Sequence, residues 1–412
     1  MNYLIKAPET LNDEIALPAS KSISNRVLIL NSLCSHPKKI QNISVCDDTG
    51  VMIKALHDDT GAIDIGAAGT AMRFLTACFS VKNGTRTITG TERMKNRPIK
   101  LLVDALRLSG AEIEYMEKES FPPLQIKGRT LAGGHICLDG GVSSQYISAL
   151  LMIAPLMTDG LSLHLTGNVV SAPYIKLTTG LMRMFGVVVY EEGQTFTVPP
   201  QQYSAVENFT VEPDWSAASY WYEMIALCKN KDARISLPGL LPGSLQGDAS
   251  IAALFDGIGV KTTFTSSGVT LTKKEKETNA LLTFDFVSMP DMAQTAVVTC
   301  AMLGIPFRFN GLQSLKIKET DRLEALKTEL AEFGCPLTVY DGNTLEWNGQ
   351  KSRSAQTPVV ATYEDHRMAM AFAPVALCRQ DGVYISDPEV VSKSYPSYWD
   401  DLRKTGFLIT ND

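Results

Sequence analysis

One pattern recurs along the chain and restricts its fold more than any other feature. An amphipathic helical stretch is followed by Gly and an apolar residue, and then by a strand-like run. It reads LLVDALRLSGAEIEY around Gly110, LTTGLMRMFGVVVY around Gly186, SIAALFDGIGVKTTF around Gly259 and EALKTELAEFGCPLTVY around Gly334, a spacing of about 75 residues. YWDDLRKTGFLI around Gly406 is a further copy, and IKALHDDTGAIDI around Gly61 a shortened earlier one. A glycine at the end of such a helix suits the left-handed conformation from which the chain turns into a strand. The chain is therefore expected to be one supersecondary module present roughly six times.

At 412 residues the chain is too long for one core, so two domains are expected. Its net charge of -6 gives no reason to expect nucleic acid as a partner, and an anionic ligand needs a local concentration of Lys and Arg. The cysteines are scattered, none in a C-x-x-C pair, which fits buried free thiols in a reducing compartment. The opening MNYLIKAPETLNDEIALP lacks a basic segment followed by an apolar core, and runs such as ISALLMIAPLM are too short to span a bilayer. A cytoplasmic protein without a membrane partner is expected. The Lys-rich TKKEKET (272–278) reads as a solvated turn.

Each module has a second helix whose start carries the chemistry. These starts read PASKSISNRVLIL, GAAGTAMRFLTACF, GGVSSQYISALLMI, EPDWSAASYWYEMIAL, MPDMAQTAVVTCAML and YEDHRMAMAFAPVAL. All pass from small or polar residues into a strongly apolar, hence buried, helix, whose first turn has unpaired N-H groups and the positive end of the dipole. Converging helix starts of this kind bind anions. The bland alternative is that Ser22, Ser24, Thr70, Ser144 and Ser216 are simple N-caps. That alternative leaves unexplained the cations beside the same starts (Lys21, Arg26, Arg73, Arg367) and in nearby loops (Arg97, Lys318, Arg322, Lys393).

The segment KIKETDRLEA (316–325) packs six charged side chains into ten residues, and Thr320 or Glu319 could cap the helix that follows. Asp291 stands at another helix start, where capping is its ordinary role. Among several cations, however, both carboxylates stay ionised, and one of them could accept a proton from a substrate hydroxyl.

Taken together, SKSISNR (20–26), GTAMR (69–73), RMKNRP (93–98), SSQY (143–146), KETDR (318–322) and DHRMAMAF (365–372) resemble the signature segments of the 5-enolpyruvylshikimate-3-phosphate synthase family, in that family's order and over essentially the full length. The resemblance implies an α/β fold of the α+β type: a two-domain inside-out α/β barrel of six βαβαββ units, with helix N-termini converging on an interdomain cleft. It implies one domain over 20–213, binding shikimate-3-phosphate, and a second from 1–19 and 214–412, carrying the catalytic carboxylates, joined by a two-strand hinge. It further implies transfer of the enolpyruvyl group of phosphoenolpyruvate to the 5-hydroxyl of shikimate-3-phosphate, in a monomer needing neither metal nor cofactor.

Residue by residue, the resemblance places Lys21, Ser22, Arg26, Ser143, Ser144, Gln145, Ser171, Tyr174, Asp291, Ser314 and Lys318 against shikimate-3-phosphate. Lys21, Gly69, Arg97, Gln145, Arg322, Arg367 and Lys393 match the phosphoenolpyruvate pocket, where guanidinium forks suit carboxylate and phosphate. Asp291 matches the candidate base, and Glu319 or Lys21 the candidate proton donor. The chain departs from the family pattern at Ala67 (usually Asn), Phe74 (usually Pro) and Ser314 (commonly Asn). These departures imply an altered affinity for phosphoenolpyruvate and an altered response to glyphosate, the family's inhibitor. The related transferase acting on UDP-N-acetylglucosamine typically has a Cys on the loop before its R-P, which TERMKNRP lacks. A silent anion-binding scaffold is the remaining alternative, since fold alone does not decide function.

Overall fold

A computed structural model describes residues 1–411 except 277–279 and 355–356. The chain divides into two compact units, one of Met1–Pro18 with Glu212–Asp412 and the other of Ala19–Val211. Each has its own apolar core. The last two residues of TKKEKET lie outside the described residues. Its Thr272 and Lys273 end the strand Gly268–Lys273, and the Lys273 ammonium donates to Ala226 O and Cys228 O at the end of a helix.

One topology is built five times, as open four-stranded sheets. In the sheet of Ala62–Asp64, Gly84–Thr89, Leu124–Gly128 and Glu112–Tyr115, the first two strands are parallel and the other pairs antiparallel. A helix follows each of the first two strands, Gly69–Val81 and then Lys100–Leu108, so the order is βαβαββ. The same pairing recurs in the sheets built on Gly134–Asp139 and Leu282–Asp285. The sixth pass, before Gly61, has the helices Lys21–Ser32 and Asp47–Leu56 and, among the described residues, a single parallel bridge of Gln41 to Thr210 in place of a sheet.

Two sheets of the first unit are completed from afar. The strand Asn2–Lys6 lies between Val383–Ser386 and Leu408–Asn411, antiparallel to both. The strand Asn12–Glu14 is parallel to Arg234–Pro238, so the whole of Ala19–Val211 is inserted in the connection between two neighbouring strands.

The glycine punctuation has its expected geometry. Gly61, Gly110, Gly186, Gly259, Gly334 and Gly406 all have positive φ, between 74° and 109°. After four of them the next residue donates back across the helix end: Ala111 to Leu106 O, Val187 to Met182 O, Cys335 to Leu330 O and Phe407 to Leu402 O. This satisfies carbonyls the helix leaves open. The two helices of each module differ as their sequences require. Trp215–Leu227 and Ala293–Leu303 are buried almost all round, whereas Lys100–Leu108 buries Leu102, Val103, Ala105 and Leu106 on one stripe. No described helix is long and apolar enough to cross a membrane.

Candidate functional site

The charged segment KIKETDR lies in the unit of Met1–Pro18 and Glu212–Asp412 and runs into the helix Arg322–Glu332. The cap is neither Thr320 nor Glu319 but Asp321, whose Oδ1 accepts from Leu323 N at 3.1 Å and Glu324 N at 3.3 Å. With the first turn satisfied by Asp321, Glu319 turns to cations. Arg322 Nη2 lies 3.0 Å from Glu319 Oε2, and Lys393 Nζ lies 3.0 Å from Oε1. Asp291 is likewise no cap: it sits in the 3-10 turn Pro290–Met292 before the helix Ala293–Leu303. Its carboxylate meets Lys318 Nζ at 3.3 Å, Arg322 Nη1 at 3.0 Å and Arg367 Nη2 at 3.3 Å.

Behind them stands Asp365, fully buried, which does cap its helix, accepting from Arg367 N at 2.9 Å. It also takes Arg322 Nε at 2.6 Å. Lys318, Arg322, Arg367 and Lys393 thus face Asp291, Glu319 and Asp365. Burial works to raise the Asp291 pKa, but Lys318, Arg367 and Arg322 outweigh it and hold the carboxyl well below the usual range. For Arg322 burial pulls downward, and Asp365, Glu319 and Asp291 more than compensate. Ser314 lies in the turn Gln313–Ile317, its hydroxyl without a hydrogen-bond partner among the described residues.

In the unit of Ala19–Val211 the helix starts differ from simple capping by Ser22, Thr70 or Ser144. Ser20 caps Lys21–Ser32, Ser143 caps Ser144–Ile153, and Gly69–Val81 has no side-chain cap. In the other unit Asp214, not Ser216, caps Trp215–Leu227. Capping thus falls to Ser20, Ser143 and Asp214, one or two residues before Ser22, Ser144 and Ser216, which stand with Thr70 in first turns without that task. Ser24 instead accepts from Ser44 N.

Lys21 Nζ is 3.2 Å from Asp48, and Gln145 Nε2 donates to Thr70 Oγ1 at 3.0 Å. At Gly69 a Cβ would stand 2.6 Å from Arg97 Nη1 and 3.1 Å from Arg73 Nη1. Those two guanidiniums therefore lie over the start of the helix. Arg73 is held by Gly69 O at 3.0 Å and lies over the Tyr146 ring. Ser171 precedes the helix Ala172–Met184 with φ 56°, in the left-handed region, and Tyr174 is in that helix's first turn.

Arg26 points elsewhere. It is buried, donates to Thr178 Oγ1 at 2.7 Å and to Ser22 O at 2.9 Å, and lies over the Phe74 ring. This stacking gives Phe74 a packing role. Ala67 is exposed in the turn before its helix. Four residues near these groups were not singled out from the sequence: Asp48, Tyr220, Asp248 and Asp365. Asp365 lay within a recognisable segment, whereas Asp48 and Asp248 have no local signal.

The fold is that of the enolpyruvyl transferases. The structure superposes on an EPSP synthase from Acinetobacter baumannii with a TM-score of 0.80, at 18% identity and 100% coverage of both chains. On the enolpyruvyl transferase NikO from Streptomyces tendae the TM-score is 0.73, at 15% identity, covering 99% of this chain and 98% of that one. The sequence narrows the class. The model of the family described as EPSP synthase (3-phosphoshikimate 1-carboxyvinyltransferase) matches residues 5–58 and 57–402. A 3-phosphoshikimate 1-carboxyvinyltransferase from Bacteroides fragilis (strain YCH46) is 55% identical over 410 residues, 99% of either chain. One from Aliivibrio fischeri (strain ATCC 700601 / ES114) is 37% identical, over 96% of this chain and 97% of its own. The chain belongs to the EPSP synthase family.

Proposed function

We propose that the protein transfers the enolpyruvyl group of phosphoenolpyruvate to the 5-hydroxyl of shikimate-3-phosphate, giving 5-enolpyruvylshikimate-3-phosphate and phosphate. Family membership over the full length supports the reaction. The observation that carries the chemistry is Asp291, kept ionised by Lys318, Arg322 and Arg367 and joined through Arg322 to a second carboxylate, Glu319.

In this reading the substrate hydroxyl gives its proton to Asp291, its oxygen bonds to C2 of phosphoenolpyruvate, and a proton reaches C3 from Glu319 or Lys21. The product is a tetrahedral adduct that still carries phosphate. Loss of a C3 proton and of phosphate restores the double bond. Arg322, Arg367, Lys393 and Arg97 stabilise charge on the phosphate and carboxylate throughout. Lys21, Ser22, Ser143, Ser144, Gln145, Ser171 and Tyr174 hold shikimate-3-phosphate, with Lys318 and Ser314. Arg26 serves the same set indirectly, by fixing Ser22 and the Tyr174 turn. The protein works in the cytoplasm.

The test is phosphate release from phosphoenolpyruvate, with shikimate-3-phosphate and UDP-N-acetylglucosamine offered separately to wild type and to Asp291→Ala. Release with shikimate-3-phosphate alone, lost in the variant, is expected. Release with the nucleotide sugar, or with neither acceptor, overturns the proposal.

A further inference from the structure

Asp365 and Arg367 are presented by a turn whose residues disfavour it. Asp365 N donates to Thr362 O at 2.8 Å, and the two residues between them, Tyr363 and Glu364, have φ of 54° and 57°. Positive φ at both central residues marks a type I′ turn, a conformation dominated by Gly, Asn and Asp. Tyr and Glu have a Cβ that crowds the backbone there and no short polar group to bond it locally. The turn is therefore strained and persists only where its surroundings hold it.

The hold comes from Glu329, buried in the helix Arg322–Glu332. Its Oε1 accepts from Tyr363 Oη at 2.6 Å and its Oε2 from Ala361 N at 3.2 Å. Arg322 stands seven residues earlier, about two turns along the same face of that helix. It grips Asp365, at the far end of the turn, through Nε at 2.6 Å and Nη2 at 3.2 Å. One helix face thus fastens the strained turn on both sides. Asp365 passes the fixed position on by accepting from Arg367 N at 2.9 Å, and the Arg367 guanidinium meets Asp291 at 3.3 Å.

We propose that Glu329, acting through the Tyr363 hydroxyl, is a positioning residue for the reaction: it holds the turn of Tyr363 and Glu364 in its strained form and so fixes Arg367 for phosphoenolpyruvate. The inference rests on the transferase reading above. Without that bond the turn relaxes toward negative φ, and the start of the helix His366–Phe372 shifts with it.

Tyr363→Phe removes one hydroxyl and keeps the ring, and Glu364→Gly frees the second central position of strain. Phosphate release gives kcat and both Michaelis constants for wild type, the two single variants and the double variant. Tyr363→Phe is expected to raise the Michaelis constant for phosphoenolpyruvate severalfold, with kcat and the constant for shikimate-3-phosphate within about twofold of wild type. Glu329→Met, which keeps the volume and removes both acceptors, is expected to raise the same constant at least as much. In the Glu364→Gly background Tyr363→Phe is expected to cost about twofold or less, because a relaxed turn needs no clamp. An unmoved constant, an equal loss in kcat and in both Michaelis constants, or the same effect in both backgrounds overturns the proposal. Amide exchange at Asp365 and Arg367, read without substrate, is expected to quicken severalfold in Tyr363→Phe. A wild type without turnover refutes the assigned reaction and leaves the clamp to be decided by exchange, where an unchanged rate overturns it.

Discussion

Arg322 and Asp365 meet through two hydrogen bonds, Nε to Oδ2 at 2.6 Å and Nη2 to Oδ1 at 3.2 Å, where neither side chain has appreciable contact with solvent. The outer nitrogens of the same fork then reach Asp291 and Glu319. Asp365 thus fixes the plane of the guanidinium that holds the two candidate proton-transfer groups. Removing one partner of a buried pair leaves an uncompensated charge, at a cost of about 3–5 kcal/mol. Asp365→Asn is expected to lower unfolding free energy in urea by about that amount. An unchanged urea midpoint would show that Arg322 needs no such support.

Asp291 is favoured in its ionised form by the fold. Its folded pKa is depressed, so its ionisation contributes stability that is present above the ordinary carboxylate range and is lost as pH falls through the folded value. Asp291→Asn is expected to melt lower than wild type at neutral pH, with the gap closing in strong acid. Its kcat is expected to fall roughly 10²–10⁴-fold, the usual worth of a general base. Asp291 itself remains ionised near pH 6, so any change in rate there has another origin.

Gly69→Ala places a methyl group against the end of a long side chain, Arg97, and not against backbone. The arginine swings aside, so the fold is kept while the cation moves. A Michaelis constant for phosphoenolpyruvate raised roughly tenfold, about 1.4 kcal/mol, with the melting temperature unchanged, is the expected outcome. Loss of cooperative melting would instead mean that Arg97 cannot yield.

Glu223 offers a pH test remote from the reaction. It is fully buried in Trp215–Leu227, and neither carboxyl oxygen has a hydrogen-bond partner among the described residues, since the neighbouring Thr299 hydroxyl donates to Thr295 O at 2.7 Å. Burial pushes its pKa well above the ordinary value, against a lesser opposing effect of Thr299. A raised folded pKa makes a contribution that is fully present below the unfolded value and lost as pH rises through the folded one. Glu223→Gln should therefore melt higher than wild type at alkaline pH, with the advantage shrinking toward about pH 4. An advantage that is the same at both ends would show that Glu223 is not protonated in the folded protein.

Much of this architecture was legible because glycine φ and helix amphipathicity are local properties. Gly110, Gly186, Gly259, Gly334 and Gly406 mark module ends by backbone stereochemistry alone. Partners contributed from afar were not legible: nothing local ties Asn2–Lys6 to Val383–Ser386 or Lys21 to Asp48. Caps were misplaced by a residue or so, at Ser20, Ser143, Asp214 and Asp321, because several adjacent polar residues each have capping chemistry and only the path of the chain selects one. Asp291 and Glu319 stood out as carboxylates among cations, whereas Asp365 acts from behind them.

The placement of Asn2–Lys6 between two strands near the other end of the chain also orders events during synthesis. The strand is made long before either of its neighbours. At ordinary elongation rates of roughly 5–20 residues per second, it waits on the order of tens of seconds for Val383–Ser386. In that interval the uninterrupted segment Ala19–Val211 is already complete and free to fold around its own core. Ile5, buried in the finished sheet, has no place in that sheet until Val383–Ser386 has been made.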